Sequence, residues 1–188
     1  MFKSHRILGV CGSLRTASFS KAILAAVADG PASSAQFDYA NIGALPHFNQ
    51  DLYVEPLPAE VREFRAQITA ADGLVICSPE YNHGMPGVLK NALDWASRPH
   101  NGSPLQAKPV LIITSSPAFT GGVRAQYQIR ETLISALARP VCHAEIVVGG
   151  VGAKIIHGRF SDAVTLDFAR SGLARMLEEI DMLATLKR

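Results

Sequence analysis

The sequence predicts an α/β fold, a doubly wound sheet of parallel strands with helices on both faces. Short apolar runs alternate along the chain with longer segments of helical periodicity, in the order βαβαβαβαβα. Most of these runs are almost continuously apolar, as expected for strands that helices cover on both faces. With 188 residues, 48% of them hydrophobic, the chain has the size and composition of one globular domain, which we expect to span residues 1–188.

Each predicted strand is a short run rich in apolar residues and bounded by turn-forming or polar residues. Gly12-Ser13 closes the first strand, and Ser78-Pro79 closes the third. In the second strand, Phe37 and Tyr39 alternate with polar residues. The predicted strands are residues 6–11, 35–40, 73–77, 110–114 and 141–148.

Each predicted helix is recognised by apolar residues three or four positions apart, or by its end signals. Ser18 suits the N-cap of the first helix, which Asp29-Gly30-Pro31 ends, and Pro86 lies near the first position of the third. Residues 41–58 lack periodicity and carry three prolines, which predicts an ordered loop. The predicted helices are residues 18–28, 59–71, 86–97, 122–138 and 160–188.

Charge and hydropathy argue against two classes of partner. The formal net charge is +2, from 18 Lys and Arg against 16 Asp and Glu, too small for the basic field of a nucleic-acid-binding protein. The longest apolar stretches, residues 109–114 and 146–151, are of strand length, so we expect no membrane span. The apolar run near the amino terminus is too short for a signal peptide, and we expect a cytoplasmic protein.

The chain has three cysteines, Cys11, Cys77 and Cys142, which are far apart in sequence and form no CxxC pair. An odd number at such spacing argues against a disulfide framework and against a zinc site. We interpret each cysteine as a small buried hydrophobic residue.

Ligands of doubly wound sheets bind at the carboxyl ends of the strands, near the switch in strand order, so the loops after strands one, three and four are the informative ones. The first, residues 12–20, leads into a helix and carries four hydroxyl side chains and Arg15. Free N–H groups and the positive dipole end at a helix start favour a phosphate, and Arg15 can add a charge-assisted bond. The loop matches neither GxxxxGK[ST] nor GxGxxG. The alternative is a hydroxyl-rich turn with an ordinary helix cap.

The other two loops complete the interpretation. In residues 78–87, Tyr81 can lie against an aromatic ligand, while Asn82 and the backbone offer donors and acceptors for the edge of a heterocycle. The alternative to a binding loop is a crossover loop in which Tyr81 is partly packed. His83 is assigned no acid–base role, because no dyad partner is evident. In residues 115–122 the paired glycines permit a close backbone approach, and the alternative is a flexible turn. Together the three loops have the layout of a flavin mononucleotide (FMN) site.

These loops also carry a family resemblance. They are similar to the flavodoxin-like NADPH-dependent FMN reductases, and most of all to the quinone, chromate and azo reductases. The resemblance covers residues 6–150. Its motifs here are Gly12-Ser13-Leu14-Arg15-Thr16-Ala17-Ser18-Phe19-Ser20, then Pro79-Glu80-Tyr81-Asn82 with Pro86-Gly87-Val88-Leu89-Lys90-Asn91-Ala92-Leu93-Asp94-Trp95 and Ser97-Arg98, and last Ser115-Ser116 with Gly121-Gly122-Val123-Arg124-Ala125-Gln126 and Arg130.

The resemblance implies a flavodoxin-like sheet of five parallel strands ordered 2-1-3-4-5, non-covalently bound FMN, and a homodimer or homotetramer with the flavin near a subunit interface. Trp95 suggests the third helix for that interface; the alternative is that Trp95 packs against the sheet. Ser20 stands where the family usually has Asn. The implied cofactor-binding residues are Ser13, Arg15, Ser18, Phe19 and Ser20 at the phosphate, Pro79, Glu80, Tyr81 and Asn82 beside the ring and ribityl chain, and Ser115 and Ser116 in the third loop.

The implied activity is a two-step, ping-pong hydride transfer through FMN, with NADPH or NADH as donor. The electron acceptor is a small molecule: a quinone, an azo compound, free flavin or an oxidised metal ion. FMN carries this chemistry, so no catalytic side chain is expected. A flavodoxin-like electron carrier or flavin-binding partner protein without pyridine nucleotide turnover is the alternative, although carriers of this kind are typically acidic. A hydrolase would need a nucleophile elbow such as GxSxG, which is absent.

Overall fold

The structure, a computed structural model, describes residues 4–30 and 35–186; the predicted helix stop at Pro31 lies outside these ranges. Within them, a parallel sheet has the strand order β2-β1-β3-β4-β5. A further segment, β6, pairs with β4 beyond β5, so β5 and β6 share the fifth position. The predicted order 2-1-3-4-5 is confirmed. The strands are β1 His5–Cys11, β2 Ala35–Tyr39, β3 Gly73–Pro79, β4 Pro109–Ser115, β5 Arg139–Pro140 and β6 Ile146–Val148.

Helices cover both faces of the sheet, as the apolar strands require. On one face, Ile23 and Met176 belong to one buried cluster, and on the other Phe64, Trp95 and Ile129 belong to a second. The first cluster is covered by α1 and α5, and the second by α2, α3 and α4. The helices are α1 Phe19–Ala28, α2 Ala59–Ala70, α3 Gly87–Ala96, α4 Val123–Ser135 and α5 Ala163–Leu186.

The predicted fifth strand, residues 141–148, is wrong in its first half. The backbone leaves β4 after Val141, whose N–H still donates to the Val110 carbonyl. At His143 it makes a tight turn, with the His143 N–H donating to the Val141 carbonyl at 2.9 Å. Cys142 lies in this excursion and is exposed, so its interpretation as a buried residue is also wrong. Cys77 is buried as expected, and Cys11 is half-buried.

The last helix is predicted to begin at residue 160, but α5 begins at Ala163 because a short hairpin occupies the residues before it. Strand β7 (Ile155–Ile156) pairs antiparallel with β8 (Arg159–Phe160), so Phe160 belongs to a strand. The two residues of the turn, His157 and Gly158, both have positive φ, as in a type I′ hairpin. Asp162 then caps α5 by accepting the Thr165 N–H. Similarly, α4 ends at Ser135 rather than at residue 138, where the prediction placed its end.

Residues 41–58 form an ordered loop, as predicted, and α3 holds it in place. The loop contains two short 3₁₀ turns, Ile42–Ala44 and Gln50–Leu52. The Trp95 indole N–H donates to the Pro46 carbonyl at 2.8 Å, and its ring meets Phe48 edge-on at 4.9 Å. Trp95 is fully buried, so the packing alternative holds for this side chain, while the position of α3 near a subunit interface stays a prediction.

In residues 4–30 and 35–186, no group of three or more His, Cys, Asp or Glu is placed to bind a metal ion. The helices of the same residues include none that is long and apolar enough to cross a membrane.

Candidate functional site

The loops after β1, β3 and β4 meet at the carboxyl edge of the sheet. The first two are pressed together at Gly12, whose N–H donates to the Cys77 carbonyl at 2.8 Å. A Cβ at Gly12 would lie 2.8 Å from the Cβ of Ser78, closer than real side chains approach. Only glycine therefore lets the chain leave β1 at this point.

The first and third loops are joined by a buried pair of hydroxyls. Ser20 and Ser115, 1% and 2% exposed, face each other with their Oγ atoms 3.1 Å apart. This hydrogen bond links the first turn of α1 to the end of β4. Both residues were predicted to contact the cofactor, but their hydroxyls point into the interior. We therefore leave them out of the contacts proposed below.

The remaining side chains of the first loop surround the start of α1. The Ser18 hydroxyl caps the helix by accepting the Lys21 N–H at 3.2 Å, which confirms the predicted N-cap. The Ser13 hydroxyl accepts the Arg15 N–H at 3.3 Å. The Arg15 guanidinium is exposed and lies 5.1 Å from the centre of the Phe19 ring. The loop thus presents a cation beside Phe19, the first residue of α1.

The donors of this loop fit a phosphate. Among the described residues, the backbone N–H groups of Thr16, Ala17 and Phe19 donate to no protein acceptor. Such unpaired amides at a helix start, together with the helix dipole, are the usual anion site of α/β folds. With Arg15 beside them, these amides can hold the phosphate of FMN without any rearrangement of the helix.

The second loop makes a two-residue turn of unusual composition. Tyr81 and Gly84 exchange backbone hydrogen bonds of 2.9 and 3.0 Å, and the residues between them, Asn82 and His83, have φ of 49° and 67°. This is a type I′ turn, in which asparagine is common and histidine costs some strain. The turn leaves Tyr81, with 51% of its surface exposed, and Asn82 facing solvent at the edge where a ring system would lie.

The side chain of Glu80, one of the predicted cofactor-binding residues, is bonded to the start of α4. Its Oε2 accepts the backbone N–H groups of Arg124 and Ala125 at 2.9 and 3.0 Å. The N-cap of α4 is Gly122, which has no side chain to supply such a bond. Glu80 therefore caps α4 from a distance of more than forty residues in sequence and fixes the second loop to the third.

We expect the substitution Glu80→Ala to lower the free energy of unfolding by about 2 kcal/mol, since a distant cap with a charged acceptor is lost. Glu80→Gln keeps one acceptor oxygen and should lose less than half as much. Chemical denaturation of the two variants and the wild type measures the difference. Glu131→Ala, an exposed change on the same helix, is the control. Equal stability of wild type and Glu80→Ala would contradict the capping role.

The third loop is shaped by Gly121 and Gly122, with φ of 63° and 85°. A Cβ at Gly121 would lie 2.9 Å from the backbone of Val147 and Val148, so the predicted close approach is confirmed. Ser116 is half-buried, and its hydroxyl accepts the Ala118 N–H at 3.1 Å. Phe119, at the tip of the loop, is 94% exposed.

One contact at this edge has no counterpart in the sequence prediction. The Arg124 guanidinium donates to the His83 ring, and the nearest oxygen of Glu80 lies 3.8 Å from His83 Nδ1. His83 is otherwise exposed. No spacing rule relates residues forty-one positions apart, so only the fold reveals this pair.

Comparison with known proteins identifies the family that shares this arrangement. The sequence profile of NADPH-dependent FMN reductases matches residues 5–152, more than three quarters of the chain. The chain belongs to this family. Its cofactor is accordingly FMN, and its electron donor is a reduced pyridine nucleotide.

Two relatives and one solved structure support the assignment. An NAD(P)H-dependent FMN reductase of Pseudomonas aeruginosa is 36% identical over 178 residues, 94% of either chain. A 2-hydroxy-1,4-benzoquinone reductase of a Burkholderia species is 48% identical over 125 residues, covering 66% of this chain and 68% of the relative. FerB, a flavoenzyme NAD(P)H:(acceptor) oxidoreductase of Paracoccus denitrificans, superimposes with a TM-score of 0.85 at 26% identity, covering 95% of this chain and 98% of its own. The flavodoxin-like fold is thereby confirmed.

Proposed function

We propose that this NADPH-dependent FMN reductase family member is an NAD(P)H oxidoreductase that reduces small-molecule acceptors, of which quinones are the first candidates. Azo compounds, free flavin and oxidised metal ions are further candidates. The observation that carries the proposal is the set of unpaired amides beside Arg15, within the same edge as Tyr81 and Asn82. The quinone assignment is supported by relatives named as quinone reductases, including one from Escherichia coli that is 37% identical over 171 residues.

Each loop has a distinct part in the proposed binding of FMN. Ser13, Ser18, Arg15 and the free amides hold the phosphate, and Phe19 supports the Arg15 guanidinium from below. Pro79 and the backbone beside it, with Tyr81 and Asn82, orient the ring and ribityl chain. Ser116 borders the site from the third loop. The Glu80 side chain contributes indirectly to the shape of the site, because it holds the second loop against α4.

Bound FMN would supply the redox chemistry between donor and acceptor, so the protein needs no nucleophile or metal of its own. The contribution of the protein is to position the cofactor, the donor and the acceptor. Tyr81 and the type I′ turn leave one open side at the edge of the sheet, which donor and acceptor occupy in turn. Because this side is exposed, water can supply protons to the acceptor. No side chain is assigned as a proton donor.

The test is steady-state turnover by the purified protein. We expect the yellow protein to oxidise NADPH with a benzoquinone as acceptor and to do so without a second protein. The alternative, an electron carrier, would bind FMN with the same spectrum and leave NADPH unconsumed. A colourless protein that takes up no FMN would overturn both.

We expect His83→Ala to slow the acceptor half-reaction by less than about tenfold, because a general acid typically contributes 10²–10⁴-fold and His83 is not one. Its ring is already engaged by the Arg124 guanidinium. Stopped-flow measurement of the two half-reactions checks this, with His100→Ala as a control for an exposed imidazole elsewhere. A loss of about 100-fold confined to the acceptor step would make His83 a proton donor.

The same kinetics test the order of events. With donor and acceptor sharing one open side, double-reciprocal plots at several quinone concentrations should be parallel. Intersecting lines would require both substrates to bind together and would contradict the shared side.

Three further proposals follow, of which the assembly rests on the family resemblance and the other two on the length and composition of the sequence. We propose that residues 1–188 form one domain, that the protein is cytoplasmic, and that it assembles as a homodimer or homotetramer. Sedimentation at micromolar concentration tests the assembly, since a particle of 20.1 kDa would be a monomer.

A further inference from the structure

A cavity adjoins the first loop on the side away from β3. It has a volume of about 650 Å³ and lies between α1 and the carboxyl ends of β1 and β2. Ser13, Arg15 and Thr16 line it, so the cavity is continuous with the amides assigned to the FMN phosphate. The loops that carry Tyr81 and Ser116 follow β3 and β4, on the other side of the first loop. The cavity is therefore not where the flavin ring would lie.

Tyr39 provides an aromatic wall of this cavity. Its ring packs against the backbone of Gly9, where a Cβ would lie 2.9 Å from the ring. Despite this contact, 53% of Tyr39 is exposed. Partial burial, and next the charge of Asp29, raise the pKa of the Tyr39 phenol, so the ring remains neutral at physiological pH. A neutral aromatic face of this kind is a stacking surface for a heterocyclic base.

The polar residues of the cavity fit a phosphate ester. Arg15 and Lys21 contribute two positive charges, and no aspartate or glutamate belongs to the described residues that line the cavity. Neither Arg15 nor Lys21 is used in a salt bridge of the described chain. Asn41, at the far side, offers an amide that can pair with a base edge.

We propose that this cavity binds the adenylate half of FAD, so that the protein accepts FAD as well as FMN. The inference rests on the proposed phosphate site in the first loop. FMN ends at that phosphate, whereas in FAD a second phosphate, a ribose and adenine continue from it. The second phosphate then lies within reach of Lys21, and the adenine lies against Tyr39.

The pyridine nucleotide donor also contains an adenylate group, but FAD fits the position better. The second phosphate of FAD is bonded directly to the first, which lies at the mouth of the cavity. The nicotinamide of the donor must instead reach the flavin ring beside the second loop, across the first loop from Tyr39. The two sources are distinguished by measuring flavin affinity and donor kinetics separately.

The experiment is a fluorescence titration of flavin-free protein with FMN and with FAD. We expect the wild type to bind both. Tyr39→Ala should weaken FAD by about tenfold, the usual effect of losing a base-stacking ring, and change FMN less than twofold. Tyr39→Phe should restore FAD binding. Lys21→Ala, on the surface of α1, should also weaken FAD selectively, and Lys90→Ala on α3 should change neither affinity.

Other outcomes of these measurements would contradict either the inference or the proposed function. If FMN binds and FAD does not, or if Tyr39→Ala and Lys21→Ala weaken the two flavins equally, the inference is wrong while the proposed function stands. If the variants raise the KM for NADPH and leave the FAD affinity unchanged, the cavity serves the donor and the inference is again wrong. Binding of neither flavin would overturn the proposed function itself.

Discussion

The substitution Trp95→Ala is expected to lower the free energy of unfolding by about 3–5 kcal/mol, the usual cost of removing a fully buried large aromatic side chain. Trp95 is 0% exposed and joins the core between the sheet and α3 to the loop at residues 46–48. The same change leaves the Pro46 carbonyl with one donor fewer, since among the described residues the Asn91 amide alone still reaches it, at 2.9 Å. Chemical denaturation followed by circular dichroism measures the effect.

Two companion variants separate packing from hydrogen bonding. Trp95→Phe keeps most of the volume and should recover more than half of the lost stability. Asn91→Ala keeps the indole but removes the bonds to the Pro46 carbonyl and the Phe48 N–H, for an expected loss of about 1–3 kcal/mol. If Trp95→Ala were less costly than Asn91→Ala, the loop rather than the core would depend on this motif.

Asn91 and Trp95 both belong to the longest motif of the family resemblance. Their side chains donate to the Pro46 carbonyl and so hold the segment that follows β2. Arg65 and Arg98 extend the same contact, the first by donating to the Trp95 carbonyl and the second by lying 5.4 Å from the centre of the Phe48 ring. Part of a motif that resembles a binding site in sequence therefore stabilises the fold.

The order of the elements was predictable from sequence because buried parallel strands are continuous apolar runs and helix starts carry caps. Ser18 shows this well, since the predicted cap is the observed one. The errors fall where the signal is short-ranged or absent. The two-residue strands around His157-Gly158 are too short for periodicity, and the break after Val141 depends on a single turn at His143.

The site was predictable in its location and less so in its details. A hydroxyl in a loop motif does not reveal which way it points, and Ser20 proves to face Ser115 inside the protein. Likewise, a carboxylate in a loop does not reveal its partner. One signal for Glu80 was available in the sequence: α4 begins after two glycines, so a cap for its free N–H groups had to come from elsewhere.

Arg15→Ala is expected to weaken FMN binding by roughly 10- to 100-fold, the equivalent of the 1.5–3 kcal/mol typical of a charge-assisted hydrogen bond. The free amides of Thr16, Ala17 and Phe19 remain in the variant, so binding should weaken rather than disappear. Raising the ionic strength should reduce the difference between wild type and variant, since Arg15 is exposed and its charge is screened. A fluorescence titration with FMN measures both effects.

Three further variants assign the loss to the guanidinium group. Arg15→Lys keeps the charge without the planar fork and should recover part of the affinity. Phe19→Leu removes the ring beneath Arg15 and keeps the cation, so its effect should be several-fold smaller than that of Arg15→Ala. Arg62→Ala, an exposed change on α2, should leave FMN binding as it is. If Arg15→Ala matched Arg62→Ala, the phosphate would be held by backbone amides and hydroxyls alone, and Arg15 would face only the neighbouring cavity.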